Sequence, residues 1–209
     1  MFKKAKPFDP PLSFAPEVQD FMRETYPKAT SILEYGSGGS TLLAASLGKP
    51  VISIESDPNW AAQMNGKIKT DFPEANAKVL HKDMGKIGAW GKPVNAKNAV
   101  NYHAYPMSIW DAPDFEQPDV ILIDGRLRPA CFCTAIMRLT QPATILFDDY
   151  RDRPRYQIVE RFMTPTRMVE KMAVFAYEPR AIPPADFGWM IPTFFQTSYA
   201  GDKNRPEGG

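Results

Sequence analysis

The chain is short of the residues that usually carry metal or redox chemistry, with two cysteines and two histidines among 209 residues. Cys131 and Cys133 stand two apart in a segment that reads as helix. Residues so spaced do not face one another on a helix, which argues against a mutual disulfide or a shared zinc site and for buried thiols in a reducing compartment. Any histidine base must be His81, inside an expected strand and read as structural, or His103, the candidate to reach an acceptor. No serine or cysteine sits in the local glycine elbow of a hydrolase, which removes that class. No run of 18 apolar residues occurs, and Met1-Phe2-Lys3-Lys4 is not followed by an apolar stretch, so a soluble, cytoplasmic protein without membrane contact is expected. A net charge of +1 gives no reason to expect nucleic acid as a partner. Lys3, Lys4 and Lys6 read as solvated terminal lysines. No internal repeat is present, and the length suits one domain over 1–209.

What the chain does contain is a glycine-rich turn between two apolar runs. Ser31-Ile32-Leu33-Glu34-Tyr35 has strand character, Gly36-Ser37-Gly38-Gly39-Ser40-Thr41 opens a helical stretch, and Ile52-Ser53-Ile54-Glu55 ends in a second carboxylate. This is the layout of a nucleoside-binding βαβ unit, in which a tight turn needs positive φ and close backbone approach to a ligand. A dinucleotide site expects Gly-x-Gly-x-x-Gly, and the sixth position here is not glycine. Glu34 would repel a pyrophosphate but could hold an ammonium group, which favours S-adenosylmethionine (SAM) over NAD.

On these residues the chain resembles the class I SAM-dependent methyltransferases, whose first motif is Glu-x-Gly-x-Gly-x-Gly, with Glu34, Gly36 and Gly38 matching and Ser40 replacing the last glycine. The resemblance implies SAM as cofactor, Glu55 on the ribose hydroxyls and Asp83 near the adenine. The implied cofactor set is Glu34, Tyr35, Gly36, Ser37, Gly38, Ser40, Thr41, Glu55, Ser56, Asp83, Met84 and Asp124. It also implies an α/β, Rossmann-like seven-stranded sheet, mostly parallel with an antiparallel final strand and helices on both faces.

Periodicity places a lead-in helix over 15–26, then strands 31–35, 51–55, 78–81, 119–124 and 143–147 alternating with helices 40–47, 59–71 and 129–139. Such alternation means parallel strands joined by right-handed crossovers. A further helix is expected over 155–162, a sixth strand over 168–177 and a seventh over 191–199. A long loop rich in proline would join these last two. The segment 85–118 is too long and too aromatic for a plain connection and reads as an insertion over the carboxyl ends of the strands. The polar tail 201–209 reads as disordered.

Asp124 follows one buried apolar run and Asp148-Asp149 another, so a parallel sheet would bring three carboxylates to one rim. Such groups repel unless a cation or a shared proton intervenes, and Mg²⁺ is a candidate partner. The pattern is similar to that of metal-dependent O-methyltransferases of the catechol type. The alternative is that arginines such as Arg126, Arg128, Arg151 or Arg153 pair with these carboxylates. Asp124, Arg126, Asp148, Asp149 and Tyr150 are the catalytic candidates, with Asp124, Asp148 and Asp149 as candidate metal ligands. The expected activity is SAM-dependent methyl transfer to an oxygen of a small acceptor. The alternatives are a non-catalytic SAM- or nucleoside-binding protein and a dinucleotide-dependent oxidoreductase.

Overall fold

The computed structural model describes residues 8–201. The terminal lysines and nearly all of the tail expected to be disordered lie outside the described residues. Helix α1 (Pro16–Thr25) starts on a proline, whose missing N–H costs nothing in a first turn, and buries Val18 and Met22. Strand β1 (Ile32–Tyr35) leads into α2 (Gly39–Ser46), and β2 (Val51–Glu55) into α3 (Pro58–Asp71). Asp57 caps α3, its carboxylate accepting the N–H groups of Asn59 and Trp60. Strand β3 (Ala77–His81) precedes the insertion, whose regular part is two 3₁₀ segments, a single turn α4 (Ala104–Met107) and a third 3₁₀ segment. Strand β4 (Val120–Ile123), α5 (Arg128–Arg138) and β5 (Ala143–Phe147) restore the alternation.

The seven strands lie in the order β3-β2-β1-β4-β5-β7-β6, where β6 is Arg167–Val169 and β7 is Met172–Tyr177. The first five are parallel, and β7 runs antiparallel to both β5 and β6. Period-2 alternation divides the core between the two faces. Leu33, Tyr35, Ile121, Ile123, Ile145 and Phe147 meet α5 and the insertion, while Ile32, Val120, Leu122 and Leu146 meet α1 and α2. Helices therefore cover both faces, as the resemblance implied.

The C-terminal third departs from expectation. The segment 168–177 is two strands joined at Glu170-Lys171, with Glu170 in the left-handed region (φ 50°), so the antiparallel hairpin is tight. No strand forms over 191–199. A short helix α6 (Phe187–Met190) runs into a 3₁₀ segment, Ile191–Phe195, that buries Thr193 and Phe194. The expected helix over 155–162 is a 3₁₀ segment, Pro154–Arg161. The insertion is also more than a cover, because Tyr102, Tyr105, Ile109 and Trp110 belong to the main core. The Trp110 indole N–H donates to the Tyr35 hydroxyl (2.8 Å), which donates to the Pro106 carbonyl (2.7 Å).

Candidate functional site

The carboxyl ends of β1 and β4 are adjacent because these strands pair in register, Tyr35 beside Ile123. The turns that follow them touch backbone to backbone. Gly36 adopts φ +102°, and a side chain there would meet the Gly125 backbone. At Gly125 a side chain would run into the Tyr105 hydroxyl and the Gly36 amide. Only glycine at both positions permits this approach. Tyr105 locks the junction by donating its hydroxyl to the Ile54 carbonyl (3.1 Å) and accepting the Arg126 amide (3.3 Å).

A crevice of about 400 Å³ opens over this junction. Of the expected cofactor residues, Gly36, Ser37, Gly38, Ser40, Glu55, Ser56 and Asp124 line it, as does the catalytic candidate Arg126. Glu55 is preset by local hydrogen bonds. One carboxylate oxygen accepts the amides of Ser56 (2.6 Å) and Asp57 (3.0 Å), and the other accepts the Ser37 hydroxyl (3.0 Å). The crevice wall also includes Trp60, which sequence reasoning passed over, and Trp90, Gly91 and Tyr105 from the segment expected to lie over the strand ends. Trp60 pins the glycine turn by donating its indole N–H to the Ser37 carbonyl (2.9 Å). Trp90 has φ 62° and is 84% exposed. A bulky residue in that backbone region is strained, a state often held at ligand sites. The insertion that carries Trp90 is tied down where the Ser56 hydroxyl donates to the Gly91 carbonyl (3.1 Å).

Glu34, Tyr35, Thr41, Asp83 and Met84 of the expected cofactor set lie outside the crevice wall. Glu34 is wholly buried and outside the crevice, because strand alternation turns it to the face opposite Leu33 and Tyr35. There its carboxylate accepts the hydroxyls of Tyr26 (2.9 Å), Ser53 (2.8 Å) and Thr41. Burial raises the Glu34 pKa, and the hydroxyls, Thr41 first, oppose that rise. Thr41 is committed to Glu34 and to the Gly38 amide (3.2 Å), and Tyr35 to the insertion. These three residues hold the turn in shape from behind. Asp83 caps the next turn, accepting the Gly85 amide (2.7 Å), and Met84 is core, so neither lines the crevice. His81 is exposed at the end of β3, and the His103 ring meets the Val100 carbonyl (2.9 Å). Cys131 and Cys133 are buried free thiols, as expected.

The three aspartates do converge. Asp124, Asp148 and Asp149 each place a carboxylate oxygen within 4.8 Å of the others. The cation among them is Arg128, 5% exposed, whose guanidinium lies 2.8 Å from Asp124, 3.2 Å from Asp149 and 3.8 Å from Asp148. It also donates to the backbone carbonyls of Asp148 (2.7 Å), Asp124 (2.9 Å) and Gly125 (3.2 Å). Arg153 adds a second ion pair to Asp149 (2.8 Å). Burial would lower the Arg128 pKa, but the carboxylates, Asp124 first, hold it well above the ordinary value. Buried and hydrogen-bonded in place, Arg128 already supplies the charge these carboxylates would ask of a divalent ion, so the pairing with arginine forms here and the donor set does not fit the candidate metal. Asp148 is pushed up to about 7, first by burial and then by the Asp124 charge, with which it shares a hydrogen bond. Tyr150 is buried and lines neither cavity, its hydroxyl donating to Glu160 (2.9 Å).

A second cavity, of about 340 Å³, shares Gly125 and Arg126 with the crevice. Its walls include Arg155, Tyr156 and the segment from Phe195 to Tyr199. That segment had been expected to be a strand.

A methyltransferase-like protein of Silicibacter pomeroyi has a crystal structure that matches this chain at 39% identity and a TM-score of 0.85, over 90% of this chain and 98% of that one. A methyltransferase from Geobacter sulfurreducens matches at 10% identity and a TM-score of 0.50, over 81% of this chain and 82% of that one, which speaks to the fold alone. No family model and no curated protein matches.

Proposed function

The chain belongs to the class I SAM-dependent methyltransferases, and from that premise we propose that it transfers the methyl group of SAM to an oxygen of a small acceptor. The observation that carries this reading is the pair of cavities meeting at Gly125-Arg126, one holding the glycine turn and Glu55, the other free of both. SAM would lie along Gly36–Gly38 with its ribose on Glu55 and its base toward Trp60 and Trp90. Its reacting end would face Asp124 and Arg126, where the second cavity delivers the acceptor.

SAM supplies an electrophilic methyl carbon on a sulfonium that leaves as neutral S-adenosylhomocysteine. Asp124 is the crevice carboxylate able to take the acceptor's hydroxyl proton as its oxygen bonds to that carbon. General-base assistance of this kind contributes about 10²- to 10⁴-fold. Asp148 behind it, with its pKa near 7, is placed to share that proton, and Arg128 holds both carboxylates in position. No step is assigned to a metal, because Arg128 satisfies the acidic cluster.

Thermal shift with SAM, S-adenosylhomocysteine and NAD in parallel tests the cofactor. A ligand at 100 times its Kd adds about 2.7 kcal/mol of stability, so the two sulfur ligands should raise Tm and NAD should not. EDTA and added Mg²⁺ should leave both the shift and any turnover unchanged. Binding without turnover across small hydroxylated acceptors would assign the protein a non-catalytic role.

A further inference from the structure

This inference rests on the methyl-transfer reading and concerns what the second cavity admits. That cavity is lined by Arg126, Arg128 and Arg155, and among the described residues no aspartate or glutamate lines it. The three arginines are not equally engaged, and Arg155 has the Tyr156 hydroxyl as a partner. Arg128 is turned onto Asp124, Asp148 and Asp149, which lie behind it, and Arg153 neutralises part of the same cluster through Asp149. Glu160 accepts the Tyr150 hydroxyl. Arg126 is half-buried, and its guanidinium makes no hydrogen bond or ion pair among the described residues. Burial and then the Arg128 charge lower its pKa, as expected for a cation short of counter-charge.

The opposite wall reports the same field. Tyr156 has the guanidinium groups of Arg128, Arg153 and Arg155 at 5.7, 5.7 and 5.2 Å from its ring centre. Burial would raise its phenol pKa, yet the net direction is downward because the three cations outweigh burial. A potential that favours a phenolate favours any other anion placed there. Helix α5 opens at this wall behind Leu127, which offers no side-chain cap, so the positive end of its dipole adds to the field. Ser198 and Tyr199 complete the lining with hydroxyl groups.

We propose that the acceptor is an anion, a small molecule bearing a carboxylate or phosphate group that seats against Arg126 and Arg155 and turns its hydroxyl toward Gly125-Arg126. In the reaction the acceptor O–H bond gives way to an O–CH₃ bond and the C–S bond breaks with its electron pair staying on sulfur. The proton passes to Asp124. The anchoring anion keeps its charge throughout, so Arg126 and Arg155 bind substrate and product alike.

The test is calorimetric titration of protein saturated with S-adenosylhomocysteine, using benzoate and phenyl phosphate as anionic probes and benzamide and phenol as neutral counterparts. An anionic probe should bind about tenfold or more tightly than its neutral counterpart, the margin of a charge-assisted hydrogen bond. The stronger of the two anions separates carboxylate from phosphate recognition. Arg155→Gln should lose about tenfold in anion affinity with S-adenosylhomocysteine affinity unchanged, and Arg155→Lys should keep most of it. Should Arg155→Gln fail to fold, Arg126→Gln carries the same expectation for the anion. Neutral probes binding as tightly as anions, no anion binding at all, or anion affinity indifferent to these substitutions overturns the proposal. Failure of S-adenosylhomocysteine itself to bind overturns the underlying reading, and the acceptor inference with it, before any probe is added.

Discussion

Glu55 shows how one side chain can be legible from sequence in position and still be informative in detail. Its place at the end of a β-branched run makes it the carboxylate that the resemblance puts on the ribose, and it lies in the crevice wall. What the sequence could not show is that neighbouring amides and Ser37 already orient it, so a ligand meets a fixed acceptor rather than a free rotor. Replacing Glu55 with alanine should weaken SAM binding by roughly 1.5–3 kcal/mol, the range for hydrogen bonds to a charged group. Calorimetry that found unchanged affinity would remove SAM from this end of the crevice. Glu34, in the same motif, lies outside the crevice for a reason that strand geometry makes plain. A residue one step from Tyr35 faces the other side of the sheet, and the three hydroxyls that receive it come from three different segments. The acidic triad was legible as a cluster, since parallel strands must deliver their ends to one rim. Its counter-ion was legible only as one of several arginines, because which of them reaches all three carboxylates is decided by the turn behind Gly125.

At the scale of elements, the five parallel strands and the helices between them carry strong local signals: apolar runs, a proline-started helix and caps such as Asp57. The sequence pattern therefore located all five strands to within a residue or so at each end. The C-terminal third was misread because a two-residue turn at Glu170-Lys171 carries no glycine or proline to announce it. The aromatic and β-branched residues of 191–199 have strand propensity, which burial of Thr193 and Phe194 on a 3₁₀ segment overrode. The segment 85–118 was expected to lie over the strand ends, and it turns out to be partly core. Deleting 85–118 would strip Tyr102, Tyr105 and Trp110 from the core and unfold the protein. The sharper test is Tyr105→Phe, which removes only the hydroxyl that joins β2, the insertion and the Gly125 turn. It should cost about 1–3 kcal/mol in chemical denaturation, since the buried Ile54 carbonyl loses a donor, and it should weaken SAM binding by loosening the turn. A variant as stable as the parent, with unaltered affinity, would mean that the junction is held by the glycine contact alone.

For the whole molecule, two acids with raised pKa values, Asp148 and Glu34, contribute to how stability responds to pH. Asp148 is raised from 3.8 to about 7 by burial and by Asp124, and Glu34 is raised by burial on the other face of the sheet. In the unfolded chain both release their protons near pH 4, whereas in the folded protein Asp148 keeps its proton to near neutrality. Between these values the folded state binds more protons than the unfolded state, so stability falls as pH rises. The contribution is fully present below about pH 4 and is gone once the pH has passed about 7. The slope from Asp148 is at most about 1.4 kcal/mol per pH unit. Asp148→Asn places a neutral amide where the folded protein already favours a neutral acid, so it removes that slope while leaving the Glu34 contribution. The parent should therefore lose Tm steadily from pH 5 to pH 7.5, and Asp148→Asn should follow a visibly flatter line, with its advantage over the parent greatest at the alkaline end. Parallel curves would mean that Asp148 is ionised throughout. That would leave Asp124 without a partner to share a proton, and the acceptor's proton would then have to leave the site by way of Asp124 alone.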